Sequence, residues 1–196
     1  MSGPAATRER VLAAALACID ANGLAATSLE DVARAAELSR ATIYRHFPGG
    51  REQVLTETVS WEATRFLARV DQAIADEHDV AARIRTALAA GHRGLVEHGL
   101  LHRLLRTEPE AVLTELSIAT DLILELVVAR MAGELVAEQA AGRARADLDV
   151  AEAADHLGRL YVSYLGAPGR WDLDDPDEVD RLVRTQFLAG VVPAPA

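Results

Sequence analysis

Hydrophobic residues recur along the chain at intervals of three and four, the spacing that places side chains on one face of an α-helix. In the block from Thr7 to Ala21, Val11, Ala15 and Ile19 form one such stripe, and Asn22-Gly23 ends the block with a residue pair typical of a helix C-cap. The sequence contains no alternating, β-branched run of strand length. The pattern therefore predicts an all-α chain.

Serine, glycine and proline residues indicate where the helical blocks begin and end. Ser28 and Ser39 are placed to begin two short helices, and Pro48-Gly49-Gly50 ends the second of them. The predicted helices span residues 7–21, 28–36, 39–47, 51–76, 79–98, 100–106, 110–141, 149–166 and 177–191.

The two short helices have the pattern of a helix-turn-helix. Leu29 and Val32 belong to the inner side of the first, and Ile43 and Phe47, four residues apart, are expected to be buried by the second. Small side chains let two helices cross closely, as this motif requires, and three are available here: Ala33, Ala36 and Ala41.

The opposite face of the second short helix is polar and basic. It carries Arg40, Thr42, Tyr44, Arg45 and His46. An arginine can donate two hydrogen bonds to a guanine edge, whereas threonine, tyrosine and histidine suit phosphate oxygens. Ser39 caps this helix and leaves backbone N–H groups where a phosphate can bind. These residue types predict a surface for double-stranded DNA.

The charge distribution agrees with this picture. The net charge is −10, yet residues 1–55 contain six arginines and six acids, so the whole excess lies in residues 56–196. No acid occurs between Leu38 and Arg51. A neutral module with one basic face, joined to an acidic helical body, is what a nucleic-acid reader with a separate sensing domain needs. On charge alone, a solvated arginine face is an equally good interpretation.

Residues 27–47, TSLEDVARAAELSRATIYRHF, resemble the DNA-binding motif of the tetracycline-repressor (TetR) family of bacterial regulators, and the similarity extends over residues 8–55. Such proteins are dimers of two-domain subunits with about nine helices. They usually repress transcription and release DNA when a small molecule binds the second domain. The resemblance implies a DNA-binding domain over residues 1–50 and an effector-binding and dimerisation domain over residues 51–196. It also implies a homodimer. The N-terminus has no signal-peptide pattern, and no stretch approaches about 18 uninterrupted apolar residues, so we expect a cytoplasmic protein.

The resemblance also implies roles for individual residues. Arg40 and Ala41 fall at base-reading positions, and Arg51 falls where the family commonly has lysine. The positions expected to contact the DNA backbone are Thr27, Ser39, Thr42, Tyr44 and His46. Together with Ser28 and Arg45, these are the predicted DNA-binding residues.

Two features depart from the family pattern. Glu37 occupies the inter-helix turn, where glycine is usual. If that turn requires a positive φ, glutamate costs about 1 kcal/mol relative to glycine, and its charge would also lower affinity for DNA. The loop Pro48-Gly49-Gly50 is one residue longer than the commonest form, which weakens the assignment of Arg51 to a phosphate.

Two apolar stripes near the C-terminus are candidates for a dimer interface. They lie on the helix that begins at Val150 and on the last helix, where two copies would form a four-helix bundle about a two-fold axis. The predicted interface residues are Val150, Ala154, Leu157, Tyr161, Leu182, Val183 and Phe187. The alternative is that both stripes serve only the subunit's own core. A two-fold dimer is the reason to expect a palindromic operator.

Aromatic residues and leucines of the acidic body are candidates for an apolar effector pocket. They are Trp61, Phe66, Leu104, Leu105, Leu122, Tyr161 and Tyr164, with Arg65, His102 or His156 as orienting polar groups. The alternative is that most of these residues are core. The absence of lysine and the scarcity of aromatics favour a neutral or acidic, largely aliphatic ligand. The fourth helix continues from the DNA face into this body, so a ligand there is expected to tilt the DNA-binding module.

Motifs for catalysis are missing from the sequence. It has no Gly-rich phosphate loop, nucleophile elbow or paired His–carboxylate motif, and its single cysteine, Cys18, excludes an intrachain disulfide. We therefore predict no catalytic residues, no metal site and no cofactor. The alternative function is a helical small-molecule-binding protein or enzyme that retains a vestigial DNA module.

Overall fold

The structure, a computed structural model, describes residues 3–192 except for the side chain of Ile118. Every regular element in this range is helical, which confirms the all-α prediction. The helices are α1 (Pro4–Asn22), α2 (Leu29–Ala35), α3 (Arg40–His46), α4 (Gly50–Ala73), α5 (Val80–Val96), α6 (Gly99–Thr107), α7 (Pro109–Ala140), α8 (Val150–Gly166) and α9 (Pro176–Leu182).

The C-terminal helix differs from its prediction over residues 177–191. After α9 the chain continues as a π-helical turn, Val183–Phe187, in which the Leu188 N–H donates to the Val183 carbonyl at 2.9 Å. The wider turn buries both Val183 and Phe187. Regular helix therefore stops at Leu182, several residues before Gly190, which has a φ of 86°.

The chain forms two compact units. Unit 1 consists of Met1–Arg65 and His98–Thr120, and unit 2 consists of Phe66–Glu97 and Asp121–Ala196. Two of the three boundaries fall inside α4 and α7, and the third lies between α5 and α6. The functional boundary at residue 50, between DNA-binding and effector residues, stays a prediction.

Unit 1 has two hydrophobic clusters. In the first, Val11 and Ala15 of α1 pack with Val32 of α2 and with Ile43 and Phe47 at α3, and all five are at most 1% exposed. This cluster holds the two short helices against α1, as the periodicity predicts. The second cluster comprises Ile19, Leu24, Leu55, Leu104 and Val112.

Unit 2 is a bundle whose core lies among α4, α5, α7, α8 and α9. Two of its helices approach closely at Gly158 of α8, where a Cβ atom would lie 2.6 Å from Cγ2 of Val128 on α7. The Tyr161 hydroxyl, on the same helix, donates to the Ala87 carbonyl of α5 at 3.2 Å. Burial, followed by the charge of Asp71, raises the pKa of Tyr161, so its phenol stays neutral.

The predicted dimer stripes are part of this core, which requires a correction. Ala154, Leu157, Tyr161, Leu182, Val183 and Phe187 are each at most 2% exposed within a single chain, and Val150 packs against them. The apolar faces of α8 and α9 point inward because they complete the bundle around α5. These side chains are therefore not on a free surface. They fit the alternative interpretation, in which both stripes serve the subunit's own core.

Within residues 3–192, no helix combines the length and the apolar character needed to span a bilayer.

Candidate nucleic-acid interface

The first helix of the motif, α2, begins with a complete capping box. The Ser28 hydroxyl oxygen accepts from the Asp31 N–H at 3.1 Å, and the Asp31 carboxylate accepts from the Ser28 N–H at 3.3 Å. The hydrogen bonds from Ser28 hold the pKa of Asp31 below its usual value. Ser28 thus fixes the start of α2, and its half-buried side chain is already engaged within the module.

The turn between α2 and α3 does require a positive φ. Glu37 has a φ of 53° and is the one non-glycine residue of the described range with a positive value. The turn is closed by the Leu38 N–H, which donates to the Ala33 carbonyl at 2.9 Å. Glutamate therefore occupies a backbone conformation that glycine adopts more easily.

The outer face of α3 is open to solvent. Ser39 caps the helix by accepting from the Thr42 N–H at 3.1 Å, and its hydroxyl lies 2.9 Å from that of Thr42. Arg40 and Arg45 are exposed, and Tyr44 is 44% exposed. The exposed or half-buried positions of this face are Ser39, Arg40, Ala41, Thr42, Tyr44, Arg45 and His46. Ala41 lies on this face, so the helix crossing uses only Ala33 and Ala36, which are buried.

A residue that the sequence reasoning missed holds the other end of α3. The Arg8 guanidinium of α1 lies 4.3 Å from the centroid of the Phe47 ring and donates to the His46 carbonyl. It also forms an ion pair with Glu57 of α4. One side chain therefore joins α1 and α4 to the C-terminus of α3. The sequence signal is weak, because an arginine near the start of an N-terminal helix is usually a solvated surface residue.

The loop after α3 is fixed from α4. Gln53 accepts from the Gly49 N–H at 2.7 Å and donates to Glu57 at 2.7 Å, so it extends the ion pair of Arg8 into the loop. Gly50 has a φ of 66°, and a Cβ atom there would lie 3.2 Å from Cε1 of Tyr44. The tyrosine ring therefore packs over bare backbone, which orients its hydroxyl on the outer face.

Two of the predicted DNA-binding residues lie inside the module instead of on this face. Thr27 is 1% exposed and donates to the Gly23 carbonyl at 2.7 Å. Arg51 donates to the carbonyls of Thr27, Leu24 and Ala25 at 2.7–2.9 Å, so its guanidinium braces the α1–α2 loop against α4. A phosphate contact by either residue stays a prediction.

The two arginines of this face have no carboxylate partner among the described residues. Among residues 3–192, Arg40 and Arg45 form no ion pair, whereas arginines such as Arg8, Arg103 and Arg143 pair with carboxylates. Two unpaired guanidinium groups on a seven-residue helix are available for an external anion.

The predicted effector residues fall in separate clusters. Trp61 packs against the core of α1–α3, with the Arg65 guanidinium 4.5 Å from its ring centroid. Leu104 and Leu105 belong to the second cluster of unit 1. Phe66, Tyr161 and Tyr164 belong to the core of unit 2.

The remaining effector candidates do not extend these clusters into a pocket. His102 and His156 are exposed, and Leu122 is half-buried. A cavity of about 40 Å³ does lie within unit 2, and Tyr161 is the one predicted residue that lines it. In the described range, no three His, Cys, Asp or Glu side chains are grouped so that they could hold a metal ion.

The N-terminal module matches a known family. Residues 11–58 match the family model described as bacterial regulatory proteins, tetR family. A segment of 73 residues is 36% identical to an HTH-type transcriptional regulator of Mycobacterium tuberculosis that is itself named uncharacterized. The aligned segment covers 37% of this chain and 36% of that protein, so the match spans only about a third of the relative.

Solved structures match over nearly the full length. A TetR-family transcriptional regulator from Mesorhizobium loti has a TM-score of 0.66 at 19% identity, covering 98% of this chain and 100% of that one. A TetR-family regulator from Rhodococcus sp. has a TM-score of 0.59 at 21% identity, covering 92% of this chain and 98% of that one. At these identities the comparisons show a shared fold and nothing further.

Proposed function

We propose that this chain, a TetR-family protein by its DNA-binding module and its fold, is a transcriptional regulator that represses genes by binding an operator through α3. The observation that carries the proposal is the outer face of α3. It combines two exposed, unpaired arginines with a solvent-open tyrosine and a serine-capped N-terminus. Side chains of these kinds read bases and contact phosphates in the major groove.

The way in which α3 is anchored supports a role for this helix in recognising DNA bases. Both ends of this short helix are fixed, the first by Ser39 and the last by Arg8 and Phe47. A recognition helix discriminates bases only if its side chains start from a defined position. The hydrogen bonds of Arg8 therefore serve sequence reading without touching DNA.

A homodimer is the second part of the proposal, and a different surface now supports it. Along α7, residues 126, 129, 133, 136 and 140 follow alternating steps of three and four, and they are Leu, Ala, Gly, Val and Ala. All five are exposed, with Leu126 at 40% and Val136 at 56%. No charged residue occupies this α7 stripe, which is unusual for a solvated helix face.

The α7 stripe is also self-complementary. If two antiparallel copies of α7 cross about a two-fold axis near residue 131, Leu126 lies opposite Val136 and Ala129 lies opposite Gly133. Large residues then meet at the ends and small residues at the centre, where the two backbones approach most closely. A two-fold dimer presents two α3 helices about 34 Å apart, and this geometry requires a palindromic operator.

The third part of the proposal is that a small-molecule effector releases the operator. To move the dimers from 99% competent to 99% released, the effector must favour the released state by about 5.5 kcal/mol. Repression and release would take place in the cytoplasm, where the operator is.

The competing function is a helical ligand-binding protein or enzyme with a vestigial DNA module. A mobility-shift assay with the DNA upstream of the coding region separates the two. A regulator shifts this DNA with an affinity that depends on sequence and falls with salt, and the double variant Arg40→Ala/Arg45→Ala loses the shift. A wild-type protein that fails to shift this DNA, or that shifts it no better than unrelated DNA, contradicts the proposal.

A further inference from the structure

The cavity in unit 2 has an apolar wall made by four helices. Its volume is about 40 Å³, compared with roughly 10–15 Å³ for a single water, so it admits a group of a few heavy atoms. The lining is contributed by α4, α5, α7 and Tyr161 of α8. Most of the lining residues are apolar, among them Leu67, Ile84 and Met131.

Four charged residues complete the lining, and they form two ion pairs. Arg130 of α7 pairs with Asp71 of α4, and Arg83 of α5 pairs with Glu134 of α7 at 2.9 Å. Arg83 also donates to the Glu77 carbonyl at 3.0 Å. The side chains of these four residues are 22–45% exposed, so this charged part of the lining is in contact with solvent. The two positive charges are balanced by the two negative charges.

Each of these arginines nevertheless has one unsatisfied donor. The Nε atoms of Arg83 and Arg130 are buried, and neither has a hydrogen-bond acceptor among the described residues. A buried N–H group without an acceptor is unfavourable, so proteins seldom leave one. Both groups belong to residues that line this cavity, which makes it the candidate place for an acceptor oxygen from outside the chain.

The other groups that line the cavity restrict the charge that a ligand carrying this acceptor can have. The Tyr161 hydroxyl already donates to the Ala87 carbonyl, and burial raises the pKa of this tyrosine, so the phenol adds no charge. A carboxylate ligand would add an uncompensated negative charge beside Asp71 and Glu134, and an ammonium ligand would meet the two guanidinium groups. A neutral oxygen acceptor satisfies the Nε donors without disturbing the charge balance.

We propose that this cavity binds a small, uncharged aliphatic molecule through a carbonyl oxygen that accepts from Arg83 Nε and Arg130 Nε. The apolar wall takes the alkyl part, and the two ion pairs hold the guanidinium groups in place. That this molecule is the effector rests on the proposed function, whereas its binding does not. Of the candidate effector residues predicted from the sequence, Tyr161 alone contributes to this site.

The test uses the full-length protein without DNA and three five-carbon probes that differ in charge. Methyl propyl ketone, pentanoate and pentylamine are titrated separately, and binding is followed by ligand-observed NMR. The ketone is expected to bind at least about tenfold more tightly than either ion, since only it satisfies the donors at no cost in charge.

The matched variants replace arginine with lysine, which keeps each positive charge for its carboxylate but removes the Nε donor. Arg83→Lys/Arg130→Lys is expected to weaken ketone binding by about tenfold or more. Arg85→Lys is the control, because Arg85 is on the same helix, pairs with Asp180 at 3.1 Å and does not line the cavity. It should bind the ketone as the wild type does.

Three results would overturn the proposal: no binding of the ketone, binding of pentanoate at least as tight as that of the ketone, or an unchanged affinity in the double lysine variant. Because no DNA is present, each of these leaves the proposed regulation of transcription standing. A ketone that binds as expected but does not alter operator affinity would instead refute only its role as effector.

Discussion

The guanidinium of Arg8 stacks on the ring of Phe47, with 4.3 Å between the guanidinium carbon and the ring centroid. Phe47 is fully buried and directly follows the predicted recognition helix, so the stack ties α1 to the end of α3. The same guanidinium donates to the His46 carbonyl, one of the C-terminal carbonyls of α3. A positive charge at this end of a helix is also favourable for the helix dipole.

Arg8→Met tests this anchor. Methionine keeps an apolar stem over Phe47 but removes the charge and the donors, so the free energy of unfolding should fall by about 1–2 kcal/mol. Operator affinity should fall while the preferred sequence stays the same, because the reading side chains remain. Chemical denaturation and anisotropy titrations measure the two effects. Arg10→Met is the control, because Arg10 is exposed on the same helix. Equal stability of Arg8→Met and Arg10→Met would refute the anchor.

Arg40 and Arg45 are predicted to play different parts on α3. Arg40 lies at the start of the helix, so Arg40→Ala should cost about 1–3 kcal/mol of operator binding and relax one position of each half-site. Arg45→Ala should weaken all sequences alike and reduce the slope of log affinity against log salt by roughly 1 per lost contact. Titrations against single-base operator variants at several salt concentrations distinguish the two. If Arg40→Ala keeps the full sequence preference, Arg40 is not a base reader.

Glu37 is expected to be a poor residue for its turn on two counts. With a φ of 53°, replacement by glycine should raise the free energy of unfolding by about 1 kcal/mol. Glu37→Gln removes the charge but keeps the side chain, so it should leave stability nearly unchanged while tightening DNA binding. The difference between the two variants isolates the backbone effect from the charge effect. Thermal unfolding that ranks Glu37→Gln as stable as Glu37→Gly would refute the backbone argument.

The α7 stripe predicts where a dimer can be broken without damage to the fold. A Cβ atom at Gly133 meets no atom within 4 Å, so Gly133→Glu should fold as a monomer that has lost operator affinity. Ala151→Glu is the matched control, because Ala151 is a small exposed residue on α8, and this variant should remain dimeric. Analytical ultracentrifugation measures the oligomeric state of both variants. A dimeric Gly133→Glu protein would show that the copies meet elsewhere.

The fold was largely predictable because helix periodicity and helix caps are local signals. Ser28, Ser39 and Pro109 each lie at or beside a helix start, as their residue types indicate. The last helix was not predicted correctly, because a π-helical turn at Val183–Phe187 keeps apolar residues buried without a distinctive sequence. Local preference does not specify which wider turn the core selects.

The site was predictable only where the position of a side chain depends on the periodicity of its own helix. The exposed face of α3 follows from the spacing of Ile43 and Phe47, which are buried as expected. The anchor at Arg8 and the inward role of Arg51 depend on residues far apart in sequence, so periodicity gave no sign of either. The stripes of Leu157 and Phe187 are apolar as expected, but periodicity does not tell a subunit core from an interface.

The central claim is that α3 reads a palindromic DNA sequence, and selection from a random library of duplexes tests it most directly. The full-length protein should enrich one sequence with two inverted half-sites whose centres are about 10 base pairs apart or a multiple of that. In anisotropy titrations it should bind that sequence roughly 10³-fold or more tightly than a scrambled duplex at the same salt concentration. Enrichment of no common sequence, with equal affinity for selected and scrambled duplexes, would contradict the account.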